Sequence, residues 1–96
     1  MRVVWTERAV RRLGEIHDHV AKDAPAAASA LIARLVRRSR QIAQLPRAGR
    51  SVPELRRADL REVLEDPYRI IYLIHSDRID ILTIIHYRQR LPDDFS

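Results

Sequence analysis

Cysteine is absent from this chain of 96 residues, and glycine occurs only at Gly14 and Gly49. Without cysteine the chain can form neither a disulfide framework nor a thiolate metal site. Two separate glycines cannot build a glycine-rich phosphate-binding loop. No apolar run reaches the roughly 18 residues that a membrane-spanning helix needs, and the first residues lack the apolar core of a secretory signal. We therefore expect one soluble, cytoplasmic domain over residues 1–96, with no membrane partner.

Lysine is also scarce, while arginine is abundant. The chain has 18 Lys and Arg against 13 Asp and Glu, a formal net charge of +5, and every basic residue except Lys22 is arginine. The planar guanidinium can bind phosphate or carboxylate through two parallel hydrogen bonds and always keeps its charge. A GC-rich genome would also favour arginine codons, so the ratio has two explanations. The net charge favours acidic partners in either case.

Two helices are predicted in the first half of the chain. Residues 2–5 are predicted as a short strand, and Thr6 offers the hydroxyl of an N-cap, after which apolar residues recur at three- and four-residue steps. The stretch from Lys22 to Pro25 should break this helix and start a second one, which ends before Pro46. The two helices should form a hairpin.

Three strands are predicted in the second half, after a basic loop over residues 46–59. The order is then β-α-α-β-β-β, an α+β fold with the helical hairpin packed on one face of an antiparallel sheet. The last strand is apolar on both faces. We therefore expect it to be central, with its second face lining a concave or partner-covered surface.

The turn between the last two strands predicts their register. Ser76 and Asp77 resemble a two-residue hairpin loop. If His75 faces Arg78, Arg69 lies opposite Ile84 and is a diagonal neighbour of His86 on the same face. A guanidinium and an imidazole should then meet on one face of the sheet.

The register of the first of the three strands depends on how Asp66 and Pro67 close the preceding turn. A pair between Glu62 and Arg69 would be structural, whereas Arg61 beside Arg69 would form a cationic site for phosphate or carboxylate. The sequence leaves both arrangements open.

Two chemical roles are open for the residues at the end of the last strand. His86 could accept a proton while Arg69 stabilises charge on a phosphate oxygen and Tyr87 stacks on a base. Alternatively, His86 ends the strand and Tyr87 belongs to the core. The other histidines have no ligand spacing with Cys or Asp, and we expect neither a metal nor a cofactor.

Six motifs resemble those of the RelE/ParE superfamily of toxins from bacterial type II toxin–antitoxin modules. In chain order they are WTERAVRRL, KDAPAAA, LPRAGRSVPEL, REV, YRIIY and IDILTIIHYRQR, and together they span nearly the whole sequence. Where the family often has Asn or Ser before the proline, Ala24 stands here. The resemblance implies the same β-α-α-β-β-β fold that the residue patterns predict.

The superfamily has two branches with different targets. ParE-like members poison DNA gyrase without known hydrolytic chemistry, and the chain length, the GRSVPE loop, YRIIY and a late histidine followed by arginines look most like them. RelE-like members cut mRNA on the ribosome. The order of Glu54, Arg69, His86 and Tyr87 is similar to the catalytic order of the YoeB-like RNA-cleaving branch. The resemblance favours the gyrase poison.

The resemblance also implies the partners. A cognate acidic antitoxin would neutralise the toxin in a hetero-oligomer, and the target would be DNA gyrase or, alternatively, the ribosome and its mRNA. A non-toxic module that binds only its antitoxin is a third reading. The residues expected to bind the target or the antitoxin are Arg50, Arg61, Arg69, Arg88 and Arg90. The acidic residues Asp93 and Asp94 could fold back onto the last two of these arginines.

Overall fold

Two helices pack on one five-stranded sheet in the computed structural model, which describes residues 1–92 and 94. The elements in chain order are β1 (Arg2–Trp5), α1 (Glu7–Ala21), α2 (Pro25–Gln44), a short 3-10 helix (Pro46–Ala48), β2 (Arg50–Ser51), β3 (Leu60–Glu65), β4 (Tyr68–Ile74) and β5 (Arg78–His86). The strand order across the sheet is β1-β5-β4-β3-β2. The α+β class, the helical hairpin and the central position of β5 are confirmed.

Both helices begin where the sequence predicts. The Thr6 hydroxyl accepts a hydrogen bond from the Ala9 amide at 3.2 Å and donates one to the Ile81 carbonyl at 2.7 Å, so this cap also fastens α1 to β5. Helix α2 starts with Pro25, and its N-cap residue, Ala24, provides no side-chain hydrogen bond. In the part of the chain that is described, neither helix is long and apolar enough to cross a membrane.

The main core lies between the helical hairpin and one face of the sheet, called here the helix face. Full burial of a large aliphatic side chain stabilises a fold by about 1.5–3 kcal/mol, so this layer supplies much of the stability. Its principal members are Ala9, Ile16, Leu31, Leu35, Ile42, Ile70, Tyr72, Ile79, Ile81 and Ile84.

The sheet is mixed, and the expectation of a purely antiparallel sheet is wrong in one strand. Strand β1 pairs with β5 in parallel, with Arg2 opposite Arg78 and Trp5 opposite Ile81. The β3, β4 and β5 strands are antiparallel as predicted. A parallel neighbour needs a long crossover connection, which the helical hairpin and the strands after it provide. Alternating apolar residues do not encode the direction of such an edge strand.

A bulge in β5 changes the predicted register. Near the turn the pairing is as expected, since the His75 amide donates to the Arg78 carbonyl at 2.8 Å. Tyr72 pairs with Ile81 but Ile71 pairs with Thr83, which leaves Leu82 as an extra residue.

Beyond the bulge, each partner is displaced by one position. Arg69 lies opposite Ile85 and not Ile84, while His86 lies opposite Tyr68. A shift of one residue moves a side chain to the other face of a sheet. Arg69 and His86 therefore lie on opposite faces, and the predicted meeting of guanidinium and imidazole does not occur.

The other face of the sheet, called here the loop face, carries a second and smaller apolar cluster. It contains Val52, Leu60, Ile71, Ile85 and Leu91, all buried. Val52 comes from the loop after β2, and Leu91 from the segment after β5. The loop predicted over residues 46–59 is therefore partly ordered into a 3-10 helix and β2. Together with the segment after β5, it covers part of the face that is predicted to line a concave or partner-covered surface.

Gly49 allows the chain to pass close to Tyr72. The Tyr72 hydroxyl donates a 2.6 Å hydrogen bond to the Pro46 carbonyl, which holds the loop against the sheet. A Cβ atom on Gly49 would lie 2.7 Å from the Glu62 carbonyl oxygen and in closer conflict still with the Tyr72 hydroxyl. In contrast, a Cβ atom on Gly14 would have no heavy atom within 4 Å.

We therefore expect the two glycine substitutions to change stability in opposite directions. Gly49→Ala should lower the free energy of unfolding by about 1–3 kcal/mol, the usual cost of overpacking, because backbone and a buried tyrosine must move. Gly14→Ala should raise it by up to about 1 kcal/mol, since alanine favours an exposed helical position. Urea unfolding of both variants tests this, and equal stability would contradict the described approach of the loop.

Candidate functional site

Arg69 is almost fully buried on the loop face, and all five of its N–H groups are engaged. Its side chain is 5% exposed. The Nε atom donates to Glu62 at 3.1 Å, Nη1 to Glu54 and to the Gln89 carbonyl at 3.0 Å each, and Nη2 to Glu54 at 2.8 Å and Glu62 at 2.7 Å. A guanidinium has five N–H donors, so none is left for a substrate in this arrangement.

Two carboxylates surround this guanidinium and extend the network. Glu62 is fully buried, and its second oxygen accepts a hydrogen bond from Arg50 Nε at 2.8 Å and forms an ion pair with Arg50 Nη2 at 2.7 Å. Glu54 also accepts the Leu91 amide at 2.7 Å. We call Glu54, Glu62 and Arg69 the carboxylate clamp. It joins β3 and β4 to the loop after β2 and to the segment after β5.

The clamp decides the question that the sequence left open for β3. Glu62 shares the loop face with Arg69, whereas Arg61 pairs with Tyr72 and lies on the helix face. The Arg61 guanidinium donates to three backbone carbonyls, those of Arg47, Ala58 and Gly49. The alternative in which Arg61 and Arg69 form a paired cationic site is therefore wrong, and Arg61 holds the preceding loop.

The clamp keeps Glu54 ionised. Hydrogen bonds from Arg69 are the main cause that lowers the pKa of Glu54 from 4.5 to about 2, and the Leu91 amide adds to this effect against the opposing cost of burial. The same ion pair raises the pKa of Arg69. A carboxylate with so low a pKa is a poor proton acceptor near neutral pH.

His86 lies outside the clamp, in a small group of rings. It contacts Tyr68 edge-on at 5.8 Å between ring centroids and stacks on Tyr87 at 4.8 Å. Its Nδ1 atom accepts the Arg88 amide at 3.2 Å, an arrangement that places the proton of the neutral ring on Nε2. His86 thus holds the turn after β5.

An open cleft lies beside the clamp and is called here the C-terminal cleft. Its volume is about 330 Å³, and it is lined by Arg50, Pro53, Glu54, Arg69, Tyr87, Arg88, Gln89 and Arg90. Tyr87 is 47% exposed, and the Arg88 guanidinium lies over its ring, 5.7 Å from the centroid. The structure thereby brings six of the eight predicted site residues into one cleft. Arg61 and His86 do not line it.

Gln89 is a further residue of the candidate site that the sequence did not indicate. Its carbonyl accepts from Arg69, and its side-chain oxygen accepts the His86 amide at 2.8 Å. It therefore links the clamp to the turn that carries Tyr87. A lone glutamine between two arginines gives no signal of such a role, because the contact depends on the path of the backbone.

Asp94 does not fold back onto Arg88 or Arg90, one of the arrangements that the sequence left open. Asp94 instead pairs with Arg8 of α1, with 2.6 Å between Nη1 and Oδ2. Asp93 lies outside the described residues. Within the described ranges, no group of three or more His, Asp or Glu side chains is placed to hold a metal ion.

Comparison with known proteins assigns the family. The model of the ParE toxin of the type II toxin–antitoxin system parDE matches residues 3–91. The fold and the sequence thus define the toxin component of a type II toxin–antitoxin system. The chain belongs to the ParE toxin family within the RelE/ParE superfamily.

Relatives and solved structures agree with this assignment. A candidate toxin of Sinorhizobium fredii, Y4kP, is 40% identical over 95% of this chain and 93% of its own length. Toxin RelE2 of Caulobacter vibrioides is 36% identical over 88% of this chain and 92% of its own length. A chain from the chromosomal ParDE system of P. aeruginosa has a TM-score of 0.77 at 25% identity, with 90% of this chain and 95% of that chain covered.

The clamp predicts an acid-labile contribution to stability from Glu54. Because its pKa is lowered on folding, from 4.5 to about 2, this contribution is complete above pH 4.5 and disappears as the pH falls toward 2. Glu54→Gln should reduce the free energy of unfolding by about 1–3 kcal/mol at neutral pH, and the difference from wild type should shrink near pH 2. Urea unfolding across this range measures it.

Glu15→Gln is the matched control, because that carboxylate is 67% exposed and lies 3.7 Å from Arg12. It should have little effect at any pH. A stability difference for Glu54→Gln that stays constant from neutral to acidic pH would contradict the assignment of Glu54 to the clamp.

Proposed function

We propose that this toxin arrests growth by poisoning DNA gyrase and that a cognate acidic antitoxin neutralises it in a hetero-oligomer. The match to the ParE toxin model over residues 3–91 supports this branch of the superfamily. A non-hydrolytic poison needs a binding surface and no assembled acid–base pair.

One observation carries the choice between gyrase and mRNA. The residues that would cleave RNA are Glu54, Arg69, His86 and Tyr87. Arg69 has no unused donor, Glu54 is held as an anion by that same guanidinium, and His86 lies across the sheet from both. General acid–base catalysis requires groups within hydrogen-bond reach of one reacting site. This geometry supports a clamp and disfavours a nuclease.

The C-terminal cleft supplies the surface for the target. Arg88 and Arg90 are exposed on its rim, and Tyr87 offers an exposed ring stiffened by its contacts with His86 and Arg88. Tyrosine and arginine are the residue types that most often dominate binding energy at protein interfaces. A depression of about 390 Å³ that adjoins the cleft adds Leu64, 49% exposed, to this surface.

A separate apolar groove suits the antitoxin. It has a volume of about 610 Å³ and is bordered by Met1, Leu45, Pro46, Ile74 and His75 among others. Leu45 is 68% exposed and Met1 52% exposed. An acidic amphipathic segment could place apolar residues here while its charges meet the arginines of this basic protein, gaining affinity as it folds.

Ribosome-dependent mRNA cleavage is the second candidate function. The similarity to a protein named toxin RelE2 favours it, as does the presence of all four residues of the YoeB-like order. It would require Arg69 to leave Glu54 when RNA binds. A non-toxic, antitoxin-binding module is the third possibility, and absence of growth arrest on induced expression would support it.

We expect the toxin to trap gyrase–DNA cleavage complexes through Tyr87 and Arg88. The double variant Tyr87→Ala and Arg88→Gln should reduce the trapped complexes by about tenfold or more, because it removes an exposed aromatic anchor and its charged neighbour. Supercoiled plasmid, purified gyrase and purified toxin suffice for this assay. Arg37→Gln, an exposed arginine of α2, is the control and should retain activity.

His86→Gln distinguishes the two targets. A general acid or base typically contributes about 10²- to 10⁴-fold to a reaction rate, so a nuclease that uses His86 would lose most of its activity. We expect growth arrest to persist in this variant and mRNA in translating cells to remain intact with the wild-type toxin. Codon-linked mRNA cuts that disappear in His86→Gln would overturn the gyrase proposal.

Arg69→Ala is not a suitable substitute in this test. It would leave Glu62 buried without its main partner, and breaking a buried ion pair typically costs about 3–5 kcal/mol. Loss of activity would then reflect loss of the fold.

A further inference from the structure

We propose that a continuous band of arginines around the segment after β5 binds the phosphates of duplex DNA. The inference rests on the proposed action on gyrase and adds to it a second ligand, the DNA that the enzyme holds. The band joins the C-terminal cleft to a second depression on the α1 side of the same segment.

The second depression, called here the α1 depression, is strongly cationic. It has a volume of about 320 Å³, and its charged and amide-bearing walls are Arg8, Arg11, Arg12, Glu15, Gln89 and Arg90. Four arginines therefore surround one carboxylate. Arg90 also lines the C-terminal cleft, so the two depressions meet at this residue and the band extends from Arg50 through Arg90 to α1.

The side chains of this band divide into fixed and available groups. Arg12 is anchored to the Ile84 carbonyl at 2.9 Å, and Arg8 to Asp94. Within residues 1–92 and 94, the guanidinium groups of Arg11 and Arg90 have no hydrogen bond or ion pair, and both residues are exposed. Their charges are therefore available to an external anion.

The chemistry of the band fits a phosphate backbone better than a peptide. Duplex DNA presents one negative charge about every 1.7 Å along its axis, which suits a row of arginines that read no base. An amphipathic peptide needs apolar pockets for its anchors, whereas the α1 depression is mainly polar. Within the described part of the band, Tyr87 is the single aromatic ring, too little for the stacking platform of a single-strand binder.

Titration of a short fluorescent DNA duplex with purified toxin, without gyrase, tests the band. We expect binding whose log affinity falls linearly with log salt concentration. In the double variant Arg11→Gln and Arg90→Gln, the magnitude of this slope should decrease by about two, one for each lost phosphate contact. Affinity at low salt should fall by at least about tenfold. Neither substitution removes an internal contact, so circular dichroism should show an unchanged fold.

The matched control is the double variant Arg37→Gln and Arg40→Gln. It removes the same charge from exposed positions of α2 that border neither depression. It should bind the duplex nearly as wild type does. Equal losses in the two double variants would show that only net charge matters and would overturn the band, as would the absence of duplex binding at low salt.

A polyglutamate peptide serves as a competing probe. Capture of this peptide through Arg11 and Arg90, with no binding of the duplex, would assign the band to an acidic polypeptide and overturn the DNA proposal. The gyrase assay separates the two hypotheses. Duplex binding without cleavage complexes would refute the gyrase function alone, whereas cleavage complexes without duplex binding would refute the band alone.

Discussion

The ion pairing of Arg69 with Glu54 and Glu62 is the interaction on which the loop face depends. A buried charge loses its hydration, and only good geometry with every donor and acceptor satisfied offsets that loss. Here five donors meet two carboxylates and a carbonyl, and no buried side-chain polar atom of the described residues lacks a partner. Four chain segments meet at this one guanidinium: β4, β3, the loop after β2 and the segment after β5.

The same network shows that residue types alone do not distinguish catalysis from structure in this protein. A glutamate, an arginine and a histidine in the expected order could serve acid–base chemistry or structure, and the difference lies in what each atom already contacts. In this toxin the pKa of Glu54, lowered to about 2, reflects its ion pair with Arg69. If the clamp opened to bind RNA, Glu62 would lose Arg69, its main partner. Because Glu62 is fully buried, this loss would be costly.

Much of the fold could be predicted from the sequence, and the errors have specific physical causes. Capping at Thr6, proline at the start of α2 and apolar periodicity located the helices, because these signals act locally. The bulge at Leu82 could not be predicted, since either register buries an isoleucine-rich strand. The direction of β1 depends on β5, a partner far along the chain. The clamp depends on the register between β3 and β4, which places Glu62 and Arg69 on one face. Arg88 and Arg90 of the cleft could be predicted from residue type and position after β5.

The clamp also fixes the backbone that carries the exposed residues Arg88 and Arg90. The Gln89 carbonyl and the Leu91 amide are fixed by Arg69 and Glu54, and these two anchors flank Arg90. Arg88 is fixed from the other side, where its amide meets His86. An unanchored segment would lose conformational entropy on binding, which weakens an interface, whereas a segment already held by buried ion pairs loses less. Under the proposed function, the buried charge network would serve recognition indirectly, by presenting the cationic side chains that flank it.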